Sequence, residues 1–349
     1  MKSIIKKTIL AAGLGVFILT AAGCGKTTEK IDRGMELISS LKYSEALDLF
    51  EEALEEGEEK TLAYRGEGIA YMGLTRYEDA VTSFENALHE NIGSVRDVDF
   101  DTNYYLAAAF VKLGRSEEAK SVYDAILAIR PKEVNALLLR GMNNLELSDI
   151  DGAKADFDEV ISIEPDNFNR VVDIFNGLSD HGYETEGKEY VLLAITNYKE
   201  TMGNFNLGRF YYFLEDYENA AMCLEQTRNE NLWEGYLYLG KSYEATGDLN
   251  YAASVYNSYL AKDSSNAVIY NQLGLCEMKR ENYEAALTAF EKGKNLEDSD
   301  VTQELSFNTI VAYEYLGEFK KASVLLDAYL MTYPDDQRAV REQKFLTTR

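Results

Sequence analysis

The chain has 349 residues, with 35 Lys and Arg against 60 Asp and Glu, a formal charge of −25. A hydrophobic fraction of 46% with 12% aromatics excludes a wholly disordered acidic chain. The negative charge argues against a nucleic-acid binder, which needs a basic face, and three Cys with two His leave no material for a disulfide framework or a Cys/His metal cluster.

The first segment reads as an address. Lys2, Lys6 and Lys7 form a positive start, and Thr8 to Gly23 follows as 16 apolar or small residues without a charge. A membrane-spanning helix wants roughly 20 such residues, so the run is read as the core of a signal peptide. It ends in Ala21-Ala22-Gly23-Cys24, which resembles the bacterial lipobox, although that pattern prefers Leu where Ala21 stands. The resemblance implies lipidation of Cys24 and cleavage in front of it. A simple secretion signal or an uncleaved anchor is the alternative. Cleavage would leave a chain of charge −28, held to the membrane by acyl chains. Gly25-Lys26-Thr27 looks like the end of a phosphate-binding loop. Thr20 stands where that loop needs its first glycine, so no nucleotide or other cofactor site is expected.

From residue 27 onward one unit repeats. A small residue opens each block: Ala46, Ala80, Ala119, Ala153, Gly187, Ala220, Ala252, Ala286 and Ala322, spaced 34, 39, 34, 34, 33, 32, 34 and 36. A bulky residue tends to follow four later, as in Phe50, Phe84, Tyr123, Phe157, Tyr256 and Phe290. Twelve residues earlier stands a second small position, filled by Gly34, Gly68, Ala107, Gly141, Gly208, Gly240 and Gly274, and broken by Phe175 and Ile310. Pro131, Pro165 and Pro334 each fall twelve residues after a block's small residue.

These blocks resemble the tetratricopeptide repeat, whose signature is W-x2-L-G-x2-Y, then A-x3-F, then P over 34 residues. Tyr236-x2-Leu239-Gly240-x2-Tyr243 followed by Ala252-x3-Tyr256 matches best. The resemblance implies an all-α fold, an α-solenoid of about nine helix-turn-helix repeats with a C-terminal capping helix. The expected organisation is a signal peptide over 1–23, the lipidated cysteine and a short tether over 24–30, the array over 27–334, slightly overlapping the tether, and a polar capping helix over 335–349. The physics of the spacing is close helix approach. The glycine of the first helix and the alanine of the second are expected to touch, with aromatics filling the gaps beside them. Gly114, Gly247 and Gly317, five residues before the alanines, are expected to turn the chain. The 39-residue spacing places an inserted loop or a lengthened helix end within Asn91–Asp99. Phe175 and Gly187 make the fifth repeat irregular, by drift or as a hinge or binding site.

Little points to catalysis. His89 and His181 lack metal-type neighbours, and Cys223 and Cys276 read as packing residues inside helices. Runs such as Glu51-Glu52 and Glu55-Glu56 read as a solvated face rather than paired catalytic carboxylates. No enzyme activity, metal or cofactor is expected.

In the family, the first helix of each pair lines a concave groove that takes the partner. The groove candidates that follow from this include Arg65, Asn135, Asn169, Asn176, Phe205, Arg209, Tyr212, Lys241, Asn271 and Lys279, with Glu244 on the same face as Lys241. Arg209, Lys241 and Lys279 put positive charge beside Phe205, Tyr212 and Phe213 in an acidic chain, a mixture suited to a peptide with apolar anchors and an acidic or C-terminal carboxylate group. The alternative is that the aromatics are inter-repeat core and the bases pair with local acids. The clamp by which some members hold chaperone tails is not implied, because Ile69 and Ala108 stand where it needs Asn. The acidic exterior favours basic partners. The resulting expectation is a bacterial lipoprotein on the extracytoplasmic face of the cell membrane, a scaffold for protein or peptide ligands in an envelope, secretion or surface assembly. Glycan or cell-wall polymer binding, through aromatics such as Tyr212 and Tyr236, and self-assembly are the alternatives.

Overall fold

The computed structural model describes residues 28–90, 93–296 and 301–348; Cys24 and the segment before it lie outside them. Among the described residues the regular structure is helical, with 19 α-helices and one short 3-10 turn. The helices come as nine hairpins and a closing helix. They are α1 (Glu29–Ser39) with α2 (Tyr43–Glu56), α3 (Lys60–Gly73) with α4 (Tyr77–Glu90), α5 (Asp97–Lys112) with α6 (Ser116–Ile129), and α7 (Val134–Glu146) with α8 (Ile150–Ile163). Then follow α9 (Phe168–Asp180) with α10 (Glu184–Tyr198), α11 (Asn204–Phe213) with α12 (Tyr217–Glu225), α13 (Trp233–Ala245) with α14 (Leu249–Leu260), α15 (Ala267–Lys279) with α16 (Tyr283–Lys294), and α17 (Thr302–Tyr315) with α18 (Phe319–Thr332). Helix α19 (Gln337–Leu346) closes the order.

The described residues divide into two compact units, one up to residue 187 and one from residue 188 onward. Inside each, a second helix packs on the first helix of its own hairpin and on the first helix of the next. First helices also touch one another, α1 with α3 and α3 with α5 in the N-terminal unit, α11 with α13 and α13 with α15 in the C-terminal unit. A hairpin with one apolar face left over has only its neighbour to bury that face against, which is why the units stack as solenoids.

The turn inside every hairpin has one geometry. Five residues before each block's small residue the backbone is left-handed: Leu41, Thr75, Gly114, Ser148, Gly182, Glu215, Gly247, Glu281 and Gly317 all have φ between 59° and 88°. Glycine adopts this region freely; the five other side chains are held there by the repeat. Asp149, Asp216 and Asp248 then accept from the backbone N–H three residues on and start the second helices α8, α12 and α14. The prolines sit two residues beyond the ends of α6, α8 and α18, where their missing N–H costs no helical hydrogen bond.

The small residues let the helices approach closely, with bulky side chains beside them. The alanines of the second helices, Ala46 through Ala322, are fully buried. The glycines of the first helices have as nearest neighbour the bulky residue four positions after the alanine, and a Cβ on Gly208 would also stand 3.2 Å from the Ala220 carbonyl oxygen. A Cβ on Gly34 would stand 2.6 Å from Phe50 Cε1, and one on Gly208 would stand 2.5 Å from Leu224 Cγ. Gly68, Gly141, Gly240 and Gly274 face Phe84, Phe157, Tyr256 and Phe290 in the same way. The helices approach closely because a ring occupies the volume that the glycine lacks.

The extra residues of the 39-residue spacing are shared between a longer connection, described from residue 93 onward, and a first helix of 16 residues where α3 has 14. Asp99 closes the start of α5 by accepting from the Arg96 N–H at 2.7 Å. A pocket of about 190 Å³ opens beside it, lined mainly by Leu88, Val95, Phe100, Ile126 and Ile129.

Candidate first-helix binding face

The first-helix face of the N-terminal unit is largely satisfied by its own residues. Arg65 on α3 pairs with Asp101 on α5, its Nε donating at 2.9 Å, and lies over the Tyr105 ring. Asn135 on α7 accepts from Arg170 on α9 at 2.6 Å. Asn169 is exposed and Asn176 half-buried on α9. One level deeper, Arg140 is held between Asp124 and Asp156, with Nη contacts of 2.6 Å to each. Arg65, Asn135 and Arg140 thus tie successive repeats together.

The C-terminal unit is different. Arg209 on α11 is 7% exposed and lies over the rings of Phe205 and Phe210, 5.1 and 5.8 Å from their centroids, so it supports the aromatics rather than standing open on the face. Phe213 is likewise buried. Tyr212 is half-buried and packs on Tyr238 of α13 with ring centroids 5.2 Å apart. Burial pushes the Tyr212 hydroxyl up to about 12, with Tyr217 and Tyr238 adding to the shift.

Lys241 on α13 occupies the position that Arg209 holds one repeat earlier, directly after the glycine. Among the described residues no carboxylate stands within ion-pair distance of its amine. Burial lowers the pKa of that amine; Glu244 opposes the shift and Lys279 adds to it. Glu244, one turn further along α13, has a side chain only 4% exposed. Its Oε1 accepts from Tyr256 Oη at 2.6 Å and Gln272 Nε2 at 2.8 Å, and its Oε2 from Lys279 Nζ at 2.7 Å. Lys279 therefore already has a partner. Asn271 accepts from Asn308 of α17 at 2.9 Å. Of the ten groove candidates, the fold gathers Phe205, Arg209, Tyr212, Lys241 and Lys279 around α13. It leaves Arg65, Asn135, Asn169 and Asn176 in the other unit. Sequence reasoning placed Glu244 on this face but did not foresee that it organises Tyr256, Gln272 and Lys279.

Other sequence candidates have structural roles. Tyr236 is buried, its hydroxyl donating to the Arg228 carbonyl at 2.8 Å and lying 2.6 Å from Lys262 Nζ, which takes it away from any ligand. Cys223 and Cys276 are buried free thiols, and burial raises the pKa of both. His181 follows α9, its Nδ1 2.7 Å from the Gly177 carbonyl and its Nε2 3.4 Å from Glu146. Among the described residues no group of three or more His, Cys, Asp or Glu is placed to hold a metal ion, and no helix is long and apolar enough to cross a membrane.

Stacked helical hairpins define a repeat scaffold suited to protein–protein interaction. The chain belongs to the tetratricopeptide repeat family: the family model matches residues 31–95, 65–134, 104–168 and 237–295, and a second model of the repeat matches 203–226. Protein CTR9 homolog of Arabidopsis thaliana is 23% identical over 322 residues, 86% of this chain and 28% of its own length. The TPR repeat-containing protein YsoA of Bacillus subtilis is 29% identical over 97 residues, 28% of each chain. The chain spans 28% to 38% of the length of the first three curated relatives. A solved tetratricopeptide repeat protein from Parabacteroides merdae matches with a TM-score of 0.48 at 16% identity, over 81% of this chain and 98% of that one.

Proposed function

We propose that the chain is a lipid-anchored, extracytoplasmic scaffold whose C-terminal unit binds an acidic segment of a partner protein. The observation that carries the binding part is Lys241: a half-buried amine without an ion pair among the described residues, one repeat from buried Arg209 and the Tyr212–Tyr238 pair, in a chain of charge −25. A half-dry cation next to aromatic surface favours a carboxylate carried on an apolar or aromatic segment. The anchor part rests on the sequence around Cys24, and an envelope, secretion or surface assembly is the setting that such an anchor supplies. The chain is read as a binding protein and not as an enzyme.

The test is crosslinking in cells of a tagged chain, comparing wild type with Lys241→Ala/Tyr212→Ala and, separately, Cys24→Ala. A partner captured by wild type and lost in the double variant supports the binding face. Capture that persists in the double variant moves binding elsewhere on the chain. Cys24→Ala should abolish incorporation of labelled palmitate and release the chain from membranes; retention of both would remove the lipid anchor from the reading.

A further inference from the structure

Resting on the reading of the first-helix face as a binding surface, we propose that Glu244 is a built-in anion that makes the C-terminal unit selective for a singly charged carboxylate over a doubly charged phosphate. Three basic residues, Arg209, Lys241 and Lys279, come from three successive first helices, and by sequence alone they would suit a dianion. The geometry removes most of that charge from use. Arg209 is covered by the Phe205 and Phe210 rings. Lys279 is spent on Glu244 at 2.7 Å.

Glu244 is fixed in place. Its side chain is 4% exposed and takes three donors, Tyr256, Gln272 and Lys279, from two further helices. It cannot swing away to admit a ligand without leaving a buried tyrosine hydroxyl and an amide unsatisfied. Three residues apart on one helix, Lys241 and Glu244 share a face. A ligand charge that settles on Lys241 therefore sits near the Glu244 charge in a partly desolvated site. One negative charge completes the site. A second meets Glu244, whose buried charge Lys279 offsets only in part. Rejection by a fixed like charge is a specificity device independent of how well the attractive contact is made.

The probes are N-acetylphenylalanine, with one charge, and phenyl phosphate, with nearly two at pH 8. Both carry a ring for the Tyr212–Tyr238 surface. Affinities are read by ligand-observed NMR on the full chain in detergent, for wild type, Glu244→Gln, Lys279→Met and Lys241→Met. Wild type should prefer N-acetylphenylalanine by on the order of tenfold, and Glu244→Gln should erase most of that preference. Lys279→Met keeps the Tyr256 and Gln272 bonds but leaves Glu244 less compensated, so it should weaken both probes, phenyl phosphate more. Equal affinities in wild type, unchanged by Glu244→Gln, would overturn the selectivity while Lys241-dependent binding left the binding face standing. Binding of neither probe through Lys241 would overturn both.

Discussion

Phe175 on α9 fills the space that Gly187 leaves on α10: a Cβ on Gly187 would stand 3.1 Å from Phe175 Cδ2 and 3.3 Å from the Phe175 carbonyl oxygen. In the repeats built on Gly34, Gly68, Gly141, Gly240 and Gly274 the first helix supplies the gap and the second the ring. Here the ring comes from the first helix and the gap from the second. The two departures that make the fifth repeat look irregular are thus one reversed pair, with Phe175 still 8% exposed.

The reversal makes the two positions coupled. Gly187→Ala gains up to about 1 kcal/mol of helix propensity but crowds Phe175. Phe175→Ala should cost about 3–4 kcal/mol through the cavity it opens. In the Phe175→Ala background the added methyl is relieved of the ring and meets only the backbone of residue 175, so Gly187→Ala should be more favourable there than in wild type, where it gains little or nothing. A double-mutant cycle from urea midpoints should give a coupling of about 1 kcal/mol. Additivity of the two changes would show that the pair is independent.

The left-handed turn residues give a second prediction. Thr75 has φ 60°, a region that a β-branched side chain disfavours by about 1–2 kcal/mol. Gly247 holds the same place in the seventh repeat at φ 88°. Thr75→Gly should raise stability by about 1 kcal/mol, despite the greater freedom of glycine in the unfolded chain. Gly247→Ala should lower it by a similar amount. Thermal melts of the two variants check this, and a destabilised Thr75→Gly would mean that the threonine side chain makes a compensating contact.

These cases mark what was legible in the sequence. Close helix approach demands a small residue at a fixed place, so Gly34, Gly68 and Ala46 betray the repeat and its register. The turn position was readable at Gly114, Gly247 and Gly317, where the residue type announces the conformation. It was not readable at Leu41, Thr75, Ser148, Glu215 and Glu281, where the register alone imposes it. Aromatics beside the glycines were expected from the spacing, but which ring each glycine meets was not, because spacing gives proximity and not side-chain direction. Glu244 was placed on the right face, yet its three partners lie 12, 28 and 35 residues away and are joined to it by side-chain reach, which no spacing rule encodes.

Glu67 stands one residue before the first-helix glycine, where Leu106, Leu207, Leu239 and Leu273 stand in other repeats and Arg140 sits between two aspartates. Among the described residues no cation pairs with Glu67. It accepts from Ser83 Oγ at 3.4 Å, and burial, with the Glu51 charge, pushes its carboxyl up to about 7. Below the unfolded value of 4.5 the group is protonated in both states and costs nothing. As pH rises toward 7 the unfolded chain releases the proton while the folded chain keeps it, and above 7 the folded chain must ionise a buried group. Stability therefore falls across pH 4.5–7. Glu67→Leu should remove this slope, matching wild type within about 1 kcal/mol near pH 4.5 and exceeding it by about 2 kcal/mol at pH 8. Urea titrations at several pH values read the difference, and an unchanged slope in the variant would assign the pH dependence to other groups.

The first helix depends on a residue outside it. Thr28, at the N-cap of α1, makes no side-chain capping bond. The orphan amides of Lys30 and Ile31 instead donate to Glu58 from the turn between α2 and α3, at 3.2 and 3.3 Å. Glu58 is 3% exposed and its negative charge faces the positive end of the α1 dipole. The second repeat thus caps the first. Glu58→Ala should cost about 1–2 kcal/mol, concentrated in the first hairpin because α1 packs chiefly on α2 and α3. Amide hydrogen exchange should show residues 29–39 losing roughly tenfold or more of their protection while residues 97–112 keep theirs. Glu58→Gln retains an acceptor without the charge and should fall between the two. Uniform loss of protection along the N-terminal unit would instead mean that the first hairpin unfolds only together with its neighbours.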